Sequence, residues 1–442
     1  MKNIKKKDKK LQISPKDSAA PKSWFHRLGP GLITGAAGDD PSGIGTYSSN
    51  GAQFGYALLW LVPLCLPLMI AVQEMCGRLG AVTGKGLAAV IKKFYPRWIL
   101  FASVFLLIIA NIFNIYADLN VMAASSNMLW GIPFGWALSL LAAIIALVQI
   151  IIPYRTYVKI LKWLCLALLG YVIVVFLPGV EHNWPAIAHS LVIPHLALGG
   201  DTVMAVVAFL GTTISPYLFF WQVGETVEEE VLEGHTDRPG HRLDHVSKSE
   251  IKTIRFDTVI GMMSSQLVTF FIIVAAAGTL HVHGDVKIDT AQDAAKALLP
   301  LGQGAYWLFT LCMLATGLLA IPTLAGSIGY AVAETYQWRY GLYLRFSQAK
   351  RFYTVLASAI LVGYGLNFLG VISPIKALVY SAALNGLIAP PLIIILLLIC
   401  NNKKIMGARK NGIYSNIFGG LTVVLMGIAG LYLIYNLVGG NN

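Results

Sequence analysis

Long apolar runs separated by short polar stretches dominate the 442-residue chain. Most runs hold about 20 residues, the length that an α-helix needs to cross the hydrocarbon core of a bilayer. A helix is the expected form of such a run, because it satisfies its backbone hydrogen bonds within one segment. The pattern predicts an all-α polytopic membrane protein with eleven spans, near residues 28–54, 56–80, 98–124, 134–153, 158–178, 202–226, 256–280, 305–335, 352–369, 374–400 and 413–437.

The first run is interrupted at its centre by residues that a membrane helix rarely contains. The interruption reads Ala37-Gly-Asp39-Asp40-Pro-Ser-Gly-Ile-Gly and holds two carboxylates, a proline and three glycines. Proline removes a backbone donor, and glycine tolerates the backbone angles of an unwound turn. We expect two half-helices joined by open backbone, with Asp40 beside freed carbonyls as a cation site. The alternative is a kinked helix whose aspartates are satisfied within the protein.

A second interruption lies in the sixth run, where Thr212, Thr213 and Ser215 precede Pro216. This run opens the second set of five, as the Asp40 run opens the first. Interrupted helices at corresponding positions of two halves indicate a transporter site at a repeat interface. The pattern predicts a transport core over 28–400, built as a five-plus-five inverted repeat. Repeat one covers about 28–178 and repeat two about 202–400, with an additional helix at 413–437.

Charge is sparse and follows membrane topology. Charged residues make up 12% of the chain, against about 25% in soluble domains, and the formal net charge is +12. Lys and Arg fall in alternate loops, whereas the loops at 50–56, 131–135 and 179–200 contain neither. This alternation predicts a disordered basic cytoplasmic tail at 1–27, an extracellular C-terminus and a place in the plasma membrane, and it argues against a nucleic-acid partner.

The residues at the two interruptions offer only oxygen ligands. Asp40 supplies negative charge, freed carbonyls near Ala37 and Gly211–Thr212 supply dipoles, and the Thr212 and Ser215 hydroxyls supply neutral oxygen. Oxygen sets without sulfur or imidazole suit Mg²⁺, Mn²⁺ or Ca²⁺. The two interruptions together therefore predict a divalent-cation site.

Two further polar residues, Asp39 and Asp118, are open to two interpretations each. Asp39 either coordinates the cation or faces a vestibule, and Asp118 either lines the inner route or pairs with a neighbouring helix. Asn385 and Gly386 are expected to interrupt the tenth run, which makes Asn385 a candidate fourth element of the site. Glu74 and Arg78, four residues apart, are expected to form a structural pair.

Several motifs resemble the Nramp divalent-metal transporters, and the similarity runs across most of the chain. In the first two runs they are Gly29-Pro-Gly-Leu, Asp40-Pro-Ser-Gly, Gly51-Ala-Gln-Phe-Gly-Tyr and Arg78-Leu-Gly-Ala-Val-Thr-Gly, and Tyr116-Ala-Asp118-Leu follows in the third. The resemblance implies a LeuT-like fold with binding residues on broken helices one and six.

The departures from the family pattern concern the site itself. The family's Asp-Pro-Gly-Asn ends here in Gly43 instead of the Asn ligand, and its Met-Pro-His becomes Ser215-Pro-Tyr217. A later histidine of helix six appears as Gln222, so Tyr217 and Gln222 become candidates for the permeation path together with Asp118 and Asn385. Such losses are similar to the Nramp-related magnesium transporter branch, which takes up Mg²⁺ and Mn²⁺ without proton coupling. The smaller side chains at Gly43 and Ser215 fit a partly hydrated ion.

The predicted function is import of divalent cations, Mg²⁺ first and also Mn²⁺, by alternating access without proton coupling. One alternative is a proton-coupled Mn²⁺/Fe²⁺ transporter of the ordinary Nramp type, and another is a cation-coupled transporter of an organic solute. No enzyme activity is expected, because the spans lack a nucleophile–base set and a His-x-x-x-His pair. The expected partners are the transported ion and the lipid bilayer, with no resident cofactor. The oligomeric state is left open, and a monomer is compatible with the sequence.

Two polar stretches outside the interruptions also contain potential metal ligands. The largest hydrophilic loop is predicted at 225–257, where acids and histidines either sense metal or form a solvated linker. His281 and His283 form a weaker ligand pattern on an outer loop.

Overall fold

The apolar runs fold into helices, as their pattern predicts. The computed structural model describes residues 29–152, 156, 160, 163–164, 168–176, 183–194, 199–242, 246–282, 303–369 and 374–439. The predicted tail at 1–27, most of the fifth run, and His283 lie outside the described residues. The helices are α1 (Pro30–Gly38), α2 (Pro41–Phe54), α3 (Leu61–Thr83), α4 (Leu87–Phe94), α5 (Arg97–Trp130), α6 (Phe134–Ile151), α7 (Leu169–Val175), α8 (Trp184–Val192), α9 (Gly200–Thr213), α10 (Pro216–Leu232), α11 (Lys248–Ala276), α12 (Gln303–Tyr336), α13 (Lys350–Leu366), α14 (Pro374–Asn401), α15 (Lys403–Met406) and α16 (Ile413–Gly439).

The remaining regular structure is small. An antiparallel hairpin of β1 (Thr236–Arg238) and β2 (His241–Arg242) follows α10. A π-helical turn at Ala277–His281 extends α11, and short 3₁₀ turns lie at Asn367–Leu369 and Gly407–Arg409.

Nine helical stretches in the described part of the chain are long and apolar enough to cross a membrane. Large apolar side chains also lie on the outer surface, among them Phe105, Trp136 and Leu431, which are 62%, 76% and 70% exposed. Exposed apolar surface of this extent fits contact with lipid rather than water. The chain is a multi-pass membrane protein, while the count of eleven spans and the inverted repeat stay predictions.

Both predicted interruptions are present as breaks between helices. The first run divides into α1, which ends at Gly38, and α2, which begins at Pro41. The sixth run divides into α9, which ends at Thr213, and α10, which begins at Pro216. In both cases proline occupies the first position of the second helix, where its missing N–H costs nothing. The sequence therefore located both breaks correctly.

Glycines allow the broken helices to pack against unbroken neighbours at very short range. A Cβ atom on Gly31 of α1 would lie 2.7 Å from the Thr258 backbone nitrogen of α11. A Cβ atom on Gly386 of α14 would lie 2.6 Å from the Val207 carbonyl oxygen of α9. Small residues bring membrane helices together in this way because backbone contact replaces side-chain contact. These contacts hold α1 against α11 and α9 against α14.

Two expectations about helix boundaries are wrong. Asn385 and Gly386 do not interrupt the tenth run, because α14 continues through both residues. The predicted hydrophilic loop at 225–257 is much shorter, since α10 extends to Leu232 and α11 begins at Lys248. Glu228 is buried on α10, where its carboxylate accepts hydrogen bonds from the Tyr330 hydroxyl and two backbone amides. This acid is neither a metal sensor exposed in a loop nor part of a solvated linker.

The expected pair of Glu74 and Arg78 is confirmed, and it belongs to a larger network. Arg78 Nε lies 3.1 Å from Glu74 Oε1, and Arg255 Nη2 of α11 lies 3.1 Å from the same oxygen. Arg78 also donates to the Arg409 carbonyl and, at 2.7 Å, to the Asn411 side chain. Basic stretches that are far apart in the sequence are thereby brought to one end of the molecule.

Candidate functional site

The carboxylate of Asp40 lies at the centre of the first break and caps α2. Its Oδ1 accepts hydrogen bonds from the Gly43 backbone N–H at 2.7 Å and from the Ser42 hydroxyl at 2.5 Å. An aspartate at this position satisfies amides that the helix leaves unpaired. The cap holds the carboxylate at a fixed position beside the open backbone, which is the arrangement that a cation ligand needs.

Tyr217 joins the two breaks. Its hydroxyl donates to the Ala37 carbonyl oxygen at 2.6 Å and lies 3.3 Å from Asp40 Oδ2. The side chain is fully buried at the start of α10. The structure therefore places Tyr217 in direct contact with two of the predicted ligands, at the centre of the site rather than along a path leading to it.

Two hydroxyls of the second break, those of Thr212 and Ser215, make contacts in different directions. Thr212 Oγ1 faces the first break and lies 3.3 Å from Ser42 Oγ. Ser215 instead turns back onto α9, where its hydroxyl donates to the Gly211 and Thr212 carbonyls at 2.7 and 2.8 Å. The single Ser215 proton is shared between these two carbonyls, each of which keeps a second lone pair, so their role as ion ligands stays a prediction. Thr212 is thus better placed than Ser215 to contribute side-chain oxygen.

Asp39 faces away from Asp40 and contacts α11. Its Oδ1 accepts hydrogen bonds from Ser265 at 2.9 Å and from Thr269 at 3.4 Å. Oδ2 has no hydrogen-bond partner among the described residues. Asp39 therefore ties the end of α1 to a neighbouring helix and retains one oxygen available to another ligand.

Two buried polar side chains near the breaks lack protein partners. Asp118 of α5 and Asn385 of α14 are both 0% exposed, and none of their side-chain polar atoms has a hydrogen-bond partner within the described residues. Asp118 lies beside the Ser42 backbone N–H of α2 and close enough to Asp40 for the two carboxylates to repel each other. A buried carboxylate with so little compensation is costly, since it has lost its water. Because the Ser42 contact joins α5 to α2, both interpretations of Asp118, as a residue of the inner route and as a partner of a neighbouring helix, stay predictions.

The arrangement provides charge and neutral oxygen but no dense ligand cluster. Across the described ranges, no three His, Cys, Asp or Glu side chains come together as a metal-binding group. An ion at the breaks would accordingly be held by one or two carboxylates together with backbone and hydroxyl oxygens. Mg²⁺ and similar hard cations are bound in this way when they keep part of their water shell.

Comparison with known families is decisive for the fold. A sequence model described as "Natural resistance-associated macrophage protein-like" matches residues 31–436, nearly the whole chain. This chain belongs to the Nramp family. A "Divalent metal cation transporter MntH" of Pectobacterium carotovorum is 25% identical over 431 residues, covering 93% of this chain and 95% of the relative. A protein of the same name from Vibrio campbellii is 27% identical over 421 residues, covering 93% and 92%.

Solved transporter structures superimpose on this Nramp chain and show that its fold is a known one. A manganese transporter of Eremococcus coleocola superimposes with a TM-score of 0.73 at 19% identity, covering 96% of this chain and 90% of that one. Mhp1, a nucleobase-cation-symport-1 family transporter, superimposes with a TM-score of 0.57 at 13% identity, covering 93% and 90%. At these identities the likeness shows the fold alone, and two transporters with different substrates share it.

Among the remaining predicted site residues of this Nramp chain, Gln222 lies farther along α10, against α3. Its amide nitrogen lies beside Gly77 of α3, 3.3 Å from the position that a Cβ atom on this glycine would take. Its side-chain oxygen has no hydrogen-bond partner in the described part of the chain. On α5, Asn111 donates to the Leu324 carbonyl and the Ser327 hydroxyl of α12. Asn111 thus forms interhelical hydrogen bonds, whereas Gln222 remains a candidate for the permeation path.

Several residues of the site were not singled out from the sequence. Ser42 bridges Asp40 and Thr212, and Tyr47 places its hydroxyl 3.0 Å from Thr213 Oγ1. Ser265 and Thr269 hold Asp39 from α11. Their four-residue spacing on an apolar helix puts both hydroxyls on one face, and this spacing is the signal that would have found them.

Proposed function

We propose that this Nramp chain transports divalent metal cations, with the ion bound between the two breaks. The observation that carries the proposal is that Tyr217 contacts both the Asp40 carboxylate and the Ala37 carbonyl, while Ser42 joins Asp40 to the Thr212 hydroxyl. Relatives that carry the name of divalent metal cation transporters span more than nine-tenths of the chain. An organic solute with a carboxylate is disfavoured, because Asp40 would repel it.

Charge balance supports a divalent rather than a monovalent ion. Asp118 is buried near the Ser42 backbone N–H without a cationic partner among the described residues, and it interacts electrostatically with Asp40. Two nearby carboxylates repel each other in a medium of low dielectric constant, and a 2+ ion between them removes that repulsion. We assign Asp118 to the ion site on this ground, with Asn385 as a neutral neighbour on α14.

The proposed cargo is Mg²⁺, with Mn²⁺ as a second substrate. The breaks contain only oxygen ligands, and Ser215 stands where a thioether would favour a softer metal. Mn²⁺ accepts the same oxygen set, so the donor types alone do not separate the two ions. The Mg²⁺ assignment therefore rests on the resemblance, in which the small Gly43 and Ser215 side chains replace the asparagine and methionine of the ordinary family pattern.

We further propose that transport proceeds without proton coupling. Neither broken helix contains a histidine, over residues 29–54 or 200–232, and Tyr217 and Gln222 occupy positions where the resemblance predicts histidine. Tyrosine and glutamine do not change charge near neutral pH. The alternative, a proton-coupled Mn²⁺/Fe²⁺ transporter, requires another proton carrier in the site, and Asp118 is the group that would serve.

The arrangement in the membrane is proposed from the distribution of cations. The network of Arg78, Arg409 and Arg255 gathers basic stretches at one end of the molecule. The positive-inside rule then places that end in the cytoplasm of a plasma-membrane protein, with the C-terminal end of α16 outside. Alternating access within a five-plus-five inverted repeat is the corresponding mechanism.

The test is ion uptake into proteoliposomes that contain a Mg²⁺-sensitive or a Mn²⁺-sensitive dye. We expect both ions to enter with the wild-type protein and Asp40→Asn to abolish uptake. Asp201→Asn removes an exposed carboxylate at the start of α9 and should leave uptake unchanged. Entry of Mn²⁺ alone would refute the Mg²⁺ assignment, and acidification of the lumen during metal influx would refute uncoupled transport. If neither ion enters, the proposed function is wrong.

A further inference from the structure

A second site is formed where α3, α10 and α12 end. A cavity of about 560 Å³ lies between α4, the β1–β2 hairpin and the segment that follows α12. The hairpin is held in place by a hydrogen bond from the Gly240 N–H to the Gly84 carbonyl at 2.5 Å. Cavities of this size accommodate small molecules. It is separate from the breaks and shares none of their residues.

One side of the cavity is basic. Lys85, Lys92 and Lys93 all line it, and none forms an ion pair with a carboxylate of the described residues. Lys92 donates to the Thr335 carbonyl at 2.8 Å, which fixes its ammonium group at the cavity edge. Burial, together with the nearby Lys93 ammonium, lowers the pKa of Lys85. Three ammonium groups facing the single carboxylate of Glu334 give the cavity a net positive charge, which favours an anion.

The opposite side contains one buried carboxylate. Glu334 is 3% exposed, and its Oε2 accepts a hydrogen bond from the Ala89 N–H of α4 at 3.1 Å. Its Oε1 is buried and lies against Gly86, where a Cβ atom would collide with it. The carboxylate therefore balances part of the lysine charge and offers no accessible acceptor to a ligand.

The third side is aromatic and well fixed. Trp338 stacks on Tyr336 with ring centroids 5.1 Å apart, and the Arg351 guanidinium lies 5.3 Å from the Trp338 ring. Tyr340 completes this side and packs edge-on against Tyr330. The cavity therefore combines three ammonium groups with a fixed aromatic side.

We propose that this cavity binds a phosphate ester. The phosphate would lie against Lys85, Lys92 and Lys93, because compact ammonium groups bind phosphate as point charges. The rest of the ligand would lie along the aromatic side of the cavity. The site does not depend on which ion the protein transports, so the two proposals can fail separately.

Two sources supply this chemistry. A nucleotide has the phosphate and an aromatic base that would lie along the side formed by Trp338 and Tyr340. A phosphatidylglycerol headgroup has the phosphate, and it would reach the cavity from the membrane surface. Phe94 and Trp98, 40% and 71% exposed beside the cavity, are the kind of aromatic residues found at such a surface.

The experiment measures binding directly on the full-length protein. Calorimetric titration of the detergent-purified protein with ATP in EDTA tests the nucleotide source. Reconstitution into nanodiscs of phosphatidylcholine with a small fraction of phosphatidylglycerol, followed by measurement of retained lipid, tests the lipid source. Lys85→Gln and the exposed Lys93→Gln should each weaken binding by about tenfold or more, as expected for loss of one charge-assisted contact. Lys403→Gln, an exposed cation in the distant α15 segment, should not.

The outcomes separate the possibilities. Saturable ATP binding that both cavity variants weaken assigns the site to nucleotides, and selective retention of phosphatidylglycerol with the same dependence assigns it to lipid. If neither probe binds saturably, the proposal is wrong. An equal loss in Lys403→Gln would also overturn it, because binding would then reflect overall charge.

Discussion

The hydroxyl of Tyr217 occupies a position that a bound cation would need. It donates to the Ala37 carbonyl at 2.6 Å and lies 3.3 Å from Asp40 Oδ2, so it uses lone pairs on two predicted ligands. A metal ion that binds these oxygens must displace the hydroxyl proton. We therefore predict that Tyr217→Phe strengthens metal binding, although it removes a polar group from the site.

The magnitude follows from the hydrogen bond that is lost. A hydrogen bond to a charged group contributes about 1.5–3 kcal/mol to the state that contains it. The wild-type protein loses this hydrogen bond when the ion binds, whereas the Tyr217→Phe variant does not form it in either state. Since 1.4 kcal/mol corresponds to a factor of ten, we expect Kd for Mn²⁺ to fall by about tenfold to a hundredfold. The metal-free variant should also melt at a lower temperature, because Asp40 loses a donor.

The assay is calorimetric titration of Mn²⁺ into the purified protein, together with the melting temperature with and without Mn²⁺. Tyr47→Phe is the matched control, because it removes an equally buried phenol hydroxyl that contacts Thr213 instead of a predicted ligand. Its Kd should stay within a factor of about two to three of wild type. A tenfold weaker Kd in Tyr217→Phe, with Tyr47→Phe unchanged, would show that the phenol oxygen is itself a ligand and would refute the competition argument.

Three further substitutions test other contacts. Gly211→Ala should lower the free energy of unfolding by about 1–3 kcal/mol, because its Cβ atom would collide with Ala382 and Gly386. Gly135→Ala is the control, because a Cβ atom there would meet open space. Thermal unfolding should distinguish the two variants. Asp257→Ala should speed hydrogen exchange in α1 but not α2, because the Gly29, Gly31 and Leu32 amides lose their acceptor; equal rates would contradict this cap. Asp118→Asn should weaken Mn²⁺ binding by at least tenfold if the carboxylate contacts the ion, and an unchanged Kd would exclude it from the site.

The sequence predicted the helical architecture well because the relevant signals are local. Proline at positions 41 and 216 ends one helix and starts another without tertiary help, so both breaks were located from composition alone. Apolar run lengths gave most helix bounds for the same reason. The oxygen-only character of the site also follows directly from residue types at the breaks.

The errors came from contacts between distant parts of the chain. The acids at 228–230 look like a polar loop, yet α10 continues through them because the Leu342 and Tyr343 amides, more than 100 residues away, satisfy Glu228. Gly386 resembles a helix breaker but provides space for α9. Likewise, the direction of the Ser215 hydroxyl depends on backbone geometry that residue types do not specify.

The adjacent acids at the first break show why two neighbouring carboxylates can have different roles. Asp39 is held by Ser265 and Thr269 of α11, and Asp257 of the same helix caps the other end of α1. Asp40 instead belongs to α2, which contacts α9 through Ser42 and Tyr47. Both half-helices also pack against α11, since a Cβ atom on Gly51 of α2 would lie 2.6 Å from the Ile273 carbonyl oxygen of that helix. Because Ser42 and Tyr47 join α2 to α9 as well, a displacement of α9 relative to α11 would act on the Asp40 carboxylate through α2. Such a displacement would change the distance between Asp40 and the Ala37 carbonyl, and this change would couple helix movement to the affinity for the ion.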